Sequence, residues 1–229
     1  MRRMCGRITN HQELDRNARD FDADVDPSLT WSPRYNVAPT QPVLVLGARD
    51  GRRVLRALRW GLVPSWAKDT AIGAQCINAR SETIATKPAF RAAYAKRRGA
   101  VLVTGWFEWR AGAVKVPHWF HDAEGAILAL AAVWEAWRDP TTGEELRTCA
   151  ILTRAAGPLV ATVHDREPVL LGGTALVRWL DPKAPADELA ALLATRGPDM
   201  LAVHEVARAV GNVRNDDPSL IAPMQSVAA

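Results

Sequence analysis

Residues Gln41–Gly61, QPVLVLGARDGRRVLRALRWG, predict two adjacent antiparallel strands. Val43–Leu46 is apolar, an Asp50–Gly51 pair follows, and Val54–Trp60 then alternates apolar residues with arginine. An Asp-Gly pair between apolar stretches is typical of a hairpin turn, and alternation with a period of two is typical of a half-buried strand. We therefore expect a sheet built from hairpins.

The rest of the chain extends this pattern without changing it. Further strands are predicted at Ala100–Thr104, Pro117–His121, Ile127–Val133 and Arg147–Leu152. Helices are predicted at residues 11–20, where Asn10 precedes Glu13 at capping-box spacing, at 87–98, and at 185–196, where Gly197 ends the helix. Strands in hairpin order, with helices that do not alternate regularly, favour an α+β fold with an antiparallel, barrel-like β core and peripheral helices.

Length and composition indicate one domain over residues 1–229, since no repeat, linker or composition break divides the chain. The formal charge is +4 and the pI is about 9.2, which is compatible with nucleic-acid binding. A GC-rich genome would also enrich arginine and alanine, so charge alone does not identify the ligand.

The sequence predicts a cytosolic protein without a membrane anchor. The longest uncharged apolar run, Ala126–Trp134, is far shorter than the roughly 20 residues that span a bilayer. No apolar stretch follows the basic N-terminus, so a secretory signal is not expected. Cys5, Cys76 and Cys149 are odd in number and widely spaced, which fits neither a disulfide framework nor a zinc pattern.

The N-terminal stretch MRRMCGR places Cys5 directly after a second methionine, Met4. If translation began at Met4, removal of that methionine would expose Cys5 with an α-amine and a thiol on adjacent carbons. Such groups titrate near ~8 and ~8.5, and together they close a thiazolidine ring on an aldehyde. The alternative is an ordinary cysteine near a chain terminus.

Two stretches carry polar groups that could do chemistry. In CINARSET, Asn78, Arg80 and Glu82 alternate and would share one face of an extended chain. In GWFEWR, Glu108 lies among aromatic residues, where desolvation would raise the pKa of its carboxyl and suit it to proton transfer. A structural hydrogen bond from Glu108 to an indole N–H is the alternative.

Two further stretches could contact a ligand. VHDREPVLL contains His164 and Arg166, and RWGLVPSW contains Trp66, which could form an apolar wedge or stacking platform. A structural histidine and a core tryptophan are the alternatives. His118 and His121 form an H-x-x-H pair without a third ligand at a suitable spacing, so no metal site is predicted.

Taken in this order, the motifs resemble the SOS response-associated peptidase (SRAP) family, whose members shield abasic sites by crosslinking to single-stranded DNA. The blocks that carry the resemblance cover nearly the whole chain: MCGR (4–7), RYNVAPTQ (34–41), RWGLVPSW (59–66), NARSET (78–83), GWFEW (105–109), LTRAA (152–156), HDREPVLL (164–171) and VGNVRN (210–215).

The resemblance implies a barrel-like fold with a basic groove for single-stranded DNA, and it implies that Cys5 is the nucleophile. The Cys5 amine would attack the C1′ aldehyde of an abasic deoxyribose to form a Schiff base, and the thiol would then close the thiazolidine. Glu108 and His164 match the acidic residue and the histidine of the family and would transfer protons. Asn78 matches the asparagine that would hold the sugar or the Cys5 terminus.

The same resemblance implies a set of DNA contacts and no metal or cofactor. Arg7, Arg80 and Arg166 would bind phosphates, Thr153 would add a hydroxyl, and Trp66 and Pro39 would press on the bases beside the lesion; Asn36 is also assigned to the DNA-binding set. The implied partner is single-stranded DNA containing abasic sites. Replication-fork proteins are further candidate partners, and we expect a monomer that associates with the nucleoid at damage.

Three features depart from the family pattern. While residues 1–4 remain attached, the Cys5 nitrogen is an amide and cannot form an imine; we expect either a misassigned start, with Met4 as the initiator, or self-cleavage. Ala67 stands where a second aromatic residue is common, which predicts a weaker wedge. Glu167 stands where methionine or arginine is expected, which places an acid near a histidine predicted to face DNA.

Two other functions remain open at this point. A thiol peptidase could use Cys5 with His164 and Glu108, and turnover of a peptide in trans would identify it. A non-covalent single-stranded DNA-binding domain would bind abasic and intact strands alike, with an affinity that falls as salt rises.

Overall fold

The computed structural model describes residues 6–196 and 200–224, so Cys5 and the predicted helix end at Gly197 lie outside the described residues. The strands are β1 (Ile8–Asn10), β2 (Ala23–Val25), β3 (Arg34–Val37), β4 (Pro42–Arg49), β5 (Arg52–Trp60), β6 (Asn78–Arg80), β7 (Arg98–Val103), β8 (Gly105–Arg110), β9 (Val116–Asp122), β10 (Leu128–Arg138), β11 (Glu145–Ala155), β12 (Arg166–Pro168), β13 (Leu170–Leu171) and β14 (Leu201–Glu205).

The helices are short and lie between the strands. They are α1 (Leu14–Asp20), α2 (Arg91–Lys96), α3 (Pro158–Ala161), α4 (Gly173–Leu180) and α5 (Ala186–Ala194), with 3₁₀ turns at Ala71–Gln75, Arg208–Gly211 and Pro218–Ile221. Among the residues that the structure describes, no helix is both long and apolar enough to cross a membrane.

Five strands close into a barrel, which confirms the predicted barrel-like α+β fold. The closed path runs β4–β5–β11–β10–β7 and returns to β4. All of its pairings are antiparallel except β5–β11, where Thr148 pairs with Arg59 and Cys149 pairs with Trp60 in parallel. The predicted hairpin at residues 41–61 is confirmed as β4–β5; Asp50 and Gly51 both have positive φ, as the turn of a tight two-residue hairpin requires.

Two predicted helices begin later than expected. Asn10 belongs to β1, and its side-chain amide donates to Asn17 (2.9 Å) and to the carbonyl of Leu102 (3.1 Å), so α1 begins only at Leu14. The helix expected from residue 87 begins at Arg91 after a turn, and Arg98 already belongs to β7. Tertiary hydrogen bonds and strand pairing thus override local helix signals at these positions.

A second sheet, ordered β14–β9–β8–β1–β3, packs against the barrel. One buried apolar cluster joins Val101 and Ile151 of the barrel to Ile8, Trp106 and Phe120 of the second sheet. A separate cluster covers barrel residues with helical side chains that include Tyr94, Trp179 and Leu189. The second sheet and the helices therefore cover different parts of the barrel. The candidate site residues described below lie next to the apolar cluster between the barrel and the second sheet.

Candidate nucleophile and DNA-binding site

Glu108 is a buried carboxyl on the barrel side of the second sheet. It lies in β8 opposite His118 of β9, and only 3% of its surface is exposed. Because side chains alternate along a strand, Glu108 shares its face with Trp106, whereas Phe107 and Trp109 point to the other face. The carboxyl is desolvated as predicted, but the two aromatic residues adjacent in sequence are not the ones that share its face.

The first strand brings the N-terminal end of the described chain to this carboxyl. In the β1–β8 pair, Ile8 is opposite Trp106, and the N–H of Phe107 donates to the carbonyl oxygen of Arg7 (2.9 Å). Continuing this antiparallel register from Ile8–Trp106 by two positions on each strand puts Gly6 opposite Glu108. Gly6, the first residue that the structure describes, therefore lies across from the residue that carries the buried carboxyl.

Asn78 and His164, two further candidate site residues, are held on other parts of the chain. Asn78 begins β6, which pairs in parallel with β11 and places Asn78 beside Ile151. His164 follows α3 and is buried; its backbone N–H donates to the carbonyl oxygen of Val160 (2.9 Å). The short helix and the turn after it thus fix the position from which the imidazole projects.

One apolar cluster supports all of these positions. Ile8, Ile77, Trp106 and Val163 belong to the same buried cluster, and each is one or two residues from Gly6, Asn78, Glu108 or His164, respectively. All four positions are therefore anchored to one buried cluster, although up to 158 positions separate Gly6 and His164 in the sequence.

The imidazole of His164 has local partners for both of its protonation states. Its Nδ1 lies 3.2 Å from the backbone N–H of Arg166, which a neutral ring accepts, and 3.1 Å from Oδ1 of Asp165, to which a protonated ring donates. The Asp165 side chain is 85% exposed, so this ion pair is solvent-screened. A ring that can keep a partner whether or not it carries a second proton is suited to proton transfer.

Arg166 forms a two-point ion pair with Glu82 beside the histidine. Its Nη1 and Nη2 donate to the two Glu82 oxygens at 2.5 and 2.9 Å, and Nη2 also donates to the carbonyl oxygen of Thr153 (2.8 Å). The hydrogen bond from Arg166 is the main cause that lowers the pKa of Glu82, which is therefore ionised at neutral pH. Glu82 lies in a turn after β6, so the predicted extended face of CINARSET ends at Arg80.

Arg80 is exposed at the end of β6, opposite Thr153 of β11. Thr153 itself is fully buried, and its hydroxyl contacts the carbonyl oxygen of Ala79 (3.5 Å) and Nη2 of Arg166 (3.4 Å). The predicted direct contact of the Thr153 hydroxyl with DNA is therefore not available in this structure. Thr153 instead holds the guanidinium of Arg166.

The side chain of Glu167 does not face His164, although the sequence placed an acid near this histidine. As the next residue in β12 it points away from Arg166, and its carboxylate accepts from Nε of Arg154 (2.9 Å) and Nη1 of Arg196 (2.8 Å). The backbone N–H of Gly157 also donates to it (2.7 Å). Two arginines thus compensate this buried charge on the far side of the strand.

Trp66 is presented to solvent on a tightly held loop. Its surface is 61% exposed, the largest exposure among the bulky apolar side chains that the structure describes. The loop is anchored by hydrogen bonds from the N–H of Val63 to Thr148 Oγ1 (2.9 Å) and from the Trp137 indole to the Ala67 carbonyl (2.7 Å). An exposed indole on a rigid loop fits the predicted stacking role better than a core role.

Pro39 is half-buried and adjoins the base of this loop. The N–H of the next residue, Thr40, donates to the carbonyl oxygen of Trp60 (2.8 Å), one residue before the loop begins at Gly61. Gly61 has φ +121°, and a Cβ there would lie 2.7 Å from the carbonyl oxygen of Gly73, so no other residue fits without displacement. The two predicted wedge residues are therefore held on neighbouring, mutually bonded segments.

Arg7 and Asn36 form a buried polar centre on the other face of the second sheet. Nη1 of Arg7 donates to Asn36 Oδ1 (2.7 Å) and to the carbonyl oxygen of Val210 (2.6 Å), and burial lowers the pKa of the guanidinium. The Asn36 amide donates to the carbonyls of residues 210, 212 and 215. The assignment of Asn36 as a DNA contact is therefore replaced by a structural one: it links the RYNVAPTQ and VGNVRN blocks.

We predict that Asn36→Ala destabilises the fold by about 3 kcal/mol, because it removes the acceptor Oδ1 from the buried Arg7 guanidinium and the amide donor from the carbonyls of residues 212 and 215. Urea unfolding monitored by tryptophan fluorescence measures the change. Asn212→Ala is the matched control, since the side chain of Asn212 is exposed and accepts only a local bond from the N–H of Arg214. Equal stabilities of the two variants would contradict the structural role.

The described cysteines are unsuited to act as nucleophiles. Cys76 and Cys149 are both buried, and burial raises the pKa of each thiol, which disfavours the reactive thiolate. Within residues 6–196 and 200–224, no group of three or more His, Cys, Asp or Glu side chains could hold a metal ion. His118 and His121 point to opposite faces of β9, and each Nδ1 contacts a backbone carbonyl.

The closed barrel with its second sheet, the buried Glu108 and His164 side chains and the exposed Trp66 indole define the class of the protein: an α+β barrel protein with candidate catalytic residues in its buried layer and a candidate stacking residue on its surface. The chain belongs to the SOS response associated peptidase (SRAP) family, whose model matches residues 4–213. The resemblance read from the sequence motifs is thereby confirmed.

Relatives of similar length support this assignment. The chain is 36% identical over 222 residues to abasic site processing protein YoqW of Bacillus subtilis, covering 95% of this chain and 99% of the relative. It is 32% identical over 228 residues to abasic site processing protein YedK of Escherichia coli, covering 96% and 100%. A crystal structure of a protein from Bacteroides thetaiotaomicron matches with a TM-score of 0.86 at 25% identity, covering 96% of this chain and 100% of that one.

Proposed function

We propose that this protein processes abasic sites in single-stranded DNA by forming a covalent crosslink through Cys5. The observation that carries the proposal is the β1–β8 register, which continues to Gly6 opposite the buried Glu108. Membership of a family with relatives named abasic site processing proteins supplies the substrate. Burial of Cys76 and Cys149 supports Cys5 as the reacting thiol.

The covalent step needs a free α-amine on Cys5. That amine attacks the C1′ aldehyde of the ring-opened deoxyribose, and loss of one water gives the Schiff base. The Cys5 sulfur then adds to the imine carbon while its proton passes to the nitrogen, which closes the thiazolidine without further loss. The net change is one C–N and one C–S bond formed and one water released.

Glu108 and His164 divide the proton transfers in this proposal. Glu108 accepts a proton from the attacking amine and returns it to the departing hydroxyl, a role that a desolvated carboxyl can fill at neutral pH. His164 assists opening of the sugar ring and reversal of the crosslink, because its Nδ1 has partners in both protonation states. Asn78 orients the sugar or the Cys5 terminus by hydrogen bonds.

The surface around these residues binds the strand. Arg80 is exposed and contacts a phosphate, while Arg166 is a second phosphate ligand, held in place by Thr153. Trp66, with Pro39 at the base of its loop, stacks on a base beside the lesion. Arg7 contributes by fixing β1 rather than through the Nη1 that already bonds Asn36 and Val210.

A crosslinking assay tests the proposal. The protein is mixed with a single-stranded oligonucleotide containing one abasic site, and a heat-stable adduct is scored on a denaturing gel. An oligonucleotide with a tetrahydrofuran residue at the same position is the control, since it lacks the aldehyde. We expect an adduct with the abasic strand only; an equal yield with both strands, or none with either, would refute the covalent mechanism.

We further propose that any peptide-bond cleavage by this protein is limited to its own N-terminal residues. Removal of residues 1–4 creates the α-amine that the crosslink requires, whereas cleavage in trans serves no step of the mechanism. Intact mass before and after storage of purified protein that begins at Met1 measures self-cleavage. Turnover of a library of unrelated peptides would instead support the thiol-peptidase function.

Trp66→Ala is predicted to weaken binding of an undamaged single strand about 5- to 150-fold, the range that corresponds to loss of one base–aromatic stack. Because Trp66 is largely exposed, thermal stability should be unchanged. Fluorescence anisotropy with a labelled oligonucleotide measures the affinity. Val114→Ala, which also truncates an exposed apolar side chain, is the control. If Trp66→Ala and Val114→Ala bound the strand with equal affinity, Trp66 would not be a DNA contact.

A further inference from the structure

We propose that Glu82 is a gate for the phosphate contact of Arg166: its carboxylate occupies the guanidinium in the free protein and is exchanged for a backbone phosphate when single-stranded DNA binds. This inference rests on the proposed function, because it concerns the same DNA-binding surface. It assigns a role to a residue that the catalytic mechanism does not use.

The geometry makes the carboxylate and a phosphate compete for one edge of Arg166. Glu82 takes a two-point contact across Nη1 and Nη2 at 2.5 and 2.9 Å. The other two-point edge includes Nε, which is buried. A phosphate that binds this guanidinium through two oxygens, as arginine favours, therefore has to take the edge that Glu82 holds.

Glu82 is the partner that is free to move. The Arg166 side chain is only 14% exposed and is fixed to the carbonyl oxygen of Thr153 (2.8 Å), whereas the Glu82 side chain is 48% exposed. Swinging the carboxylate into water restores its hydration without disturbing β12. Moving the Glu82 carboxylate into water therefore costs less free energy than withdrawing the Arg166 side chain from its hydrogen bonds.

The position of Glu82 couples this exchange to the rest of the site. The positive charges of both Arg166 and Arg80 lower the pKa of Glu82, so one carboxylate interacts with both arginines proposed to bind phosphates, and with Arg166 by direct contact. The backbone N–H of Arg166 bonds Nδ1 of His164 (3.2 Å). A DNA strand that displaces Glu82 is thereby held next to His164. In the protein without DNA, the Glu82 carboxylate compensates the positive charge of the arginines.

Glu82→Gln tests the gate, since the amide keeps the size of the side chain but loses its charge. Anisotropy with an undamaged single strand is measured at several salt concentrations. We expect Glu82→Gln to bind about three- to tenfold more tightly than wild type, because a partly exposed two-point ion pair no longer has to be broken. The salt dependence should become steeper by up to about 0.7 in log–log slope, since the wild-type carboxylate takes up a cation when it is released.

Two controls separate the gate from a general charge effect. Glu145→Gln removes the same charge from an exposed ion pair with Arg147 at the opposite end of β11, so it reports long-range electrostatics alone. In an Arg166→Ala background, Glu82→Gln should lose most of its effect, because the competition requires the guanidinium. Thermal melts of each variant verify folding.

Binding by Glu82→Gln that equals or falls below that of wild type would overturn the gate and would show that Glu82 only positions Arg166. In that case wild-type binding and crosslinking leave the proposed function intact. Absence of single-strand binding by wild type and variant alike would overturn both. A gain that persists undiminished in the Arg166→Ala background would also refute the exchange at Arg166.

Discussion

Cys5→Ser should convert a heat-stable crosslink into one that does not survive heating or acid. The hydroxyl can still add to the Schiff base, but oxygen closes the five-membered ring less favourably than sulfur and leaves more readily when protonated. The α-amine is retained, so the first step of the mechanism continues. The expected result is a band that is visible after borohydride reduction and nearly absent without it.

Cys76→Ala is the matched control for this substitution. Cys76 is a buried free thiol whose pKa is raised by desolvation, so its replacement should leave the yield and heat stability of the adduct at wild-type levels. The adduct is quantified on denaturing gels before and after heating. A Cys5→Ser adduct as durable as that of wild type would exclude the thiazolidine.

Glu108→Gln should slow crosslink formation by about 10²-fold, the lower end of what general acid–base catalysis contributes. The amide fills the same buried space but cannot accept the proton of the attacking amine. Because spontaneous imine formation continues, the final yield should approach that of wild type at long times. Single-turnover time courses on denaturing gels give the rate constants.

The control for Glu108→Gln is Glu135→Gln. Glu135 is also a buried carboxylate, but it lies in β10, where it pairs with Arg97 (2.6 Å). Its replacement should lower thermal stability and leave the crosslinking rate unchanged. If the Glu108→Gln variant formed the crosslink at the wild-type rate, Glu108 would have only a structural role.

The sequence predicted the fold where the signal is local. The β4–β5 hairpin follows from alternation and from Asp50–Gly51, which adopt the positive φ values that such a turn needs. Closure of the barrel by the parallel β5–β11 pair could not be predicted, because Trp60 and Cys149 are distant in sequence and parallel pairing leaves no turn motif. The late start of α1 likewise depends on the tertiary bond from Asn10 to Leu102.

For the candidate site, the sequence proposes residues but does not show which of them are accessible. Motif resemblance proposed the positions, and the exposure of Trp66 and Arg80 is compatible with the surface roles proposed for them. It could not distinguish residues that face the ligand from those that hold them. Asn36 and Thr153 are fully buried, and only the three-dimensional partners of each show this.

Glu82 is the residue that sequence reasoning recognised as part of a face but left without a function. Its alternation with Asn78 and Arg80 suggested a common extended surface, yet the strand ends at Arg80 and the turn carries Glu82 to Arg166. The sequence separation of 84 residues between the two partners gives no local signal of their contact. The signal that could have found it is the single acid close to Arg80 in NARSET, a block that the family resemblance assigns to DNA binding.

Intact-mass spectrometry shows whether Cys5 forms the proposed covalent bond to an abasic site. Purified protein is weighed before and after incubation with a single-stranded oligonucleotide that carries one abasic site. We expect a chain that begins at Cys5 and gains the mass of the oligonucleotide less one water. A chain that demonstrably begins at Cys5 and gains no mass would contradict it and would leave non-covalent binding as the function of this surface.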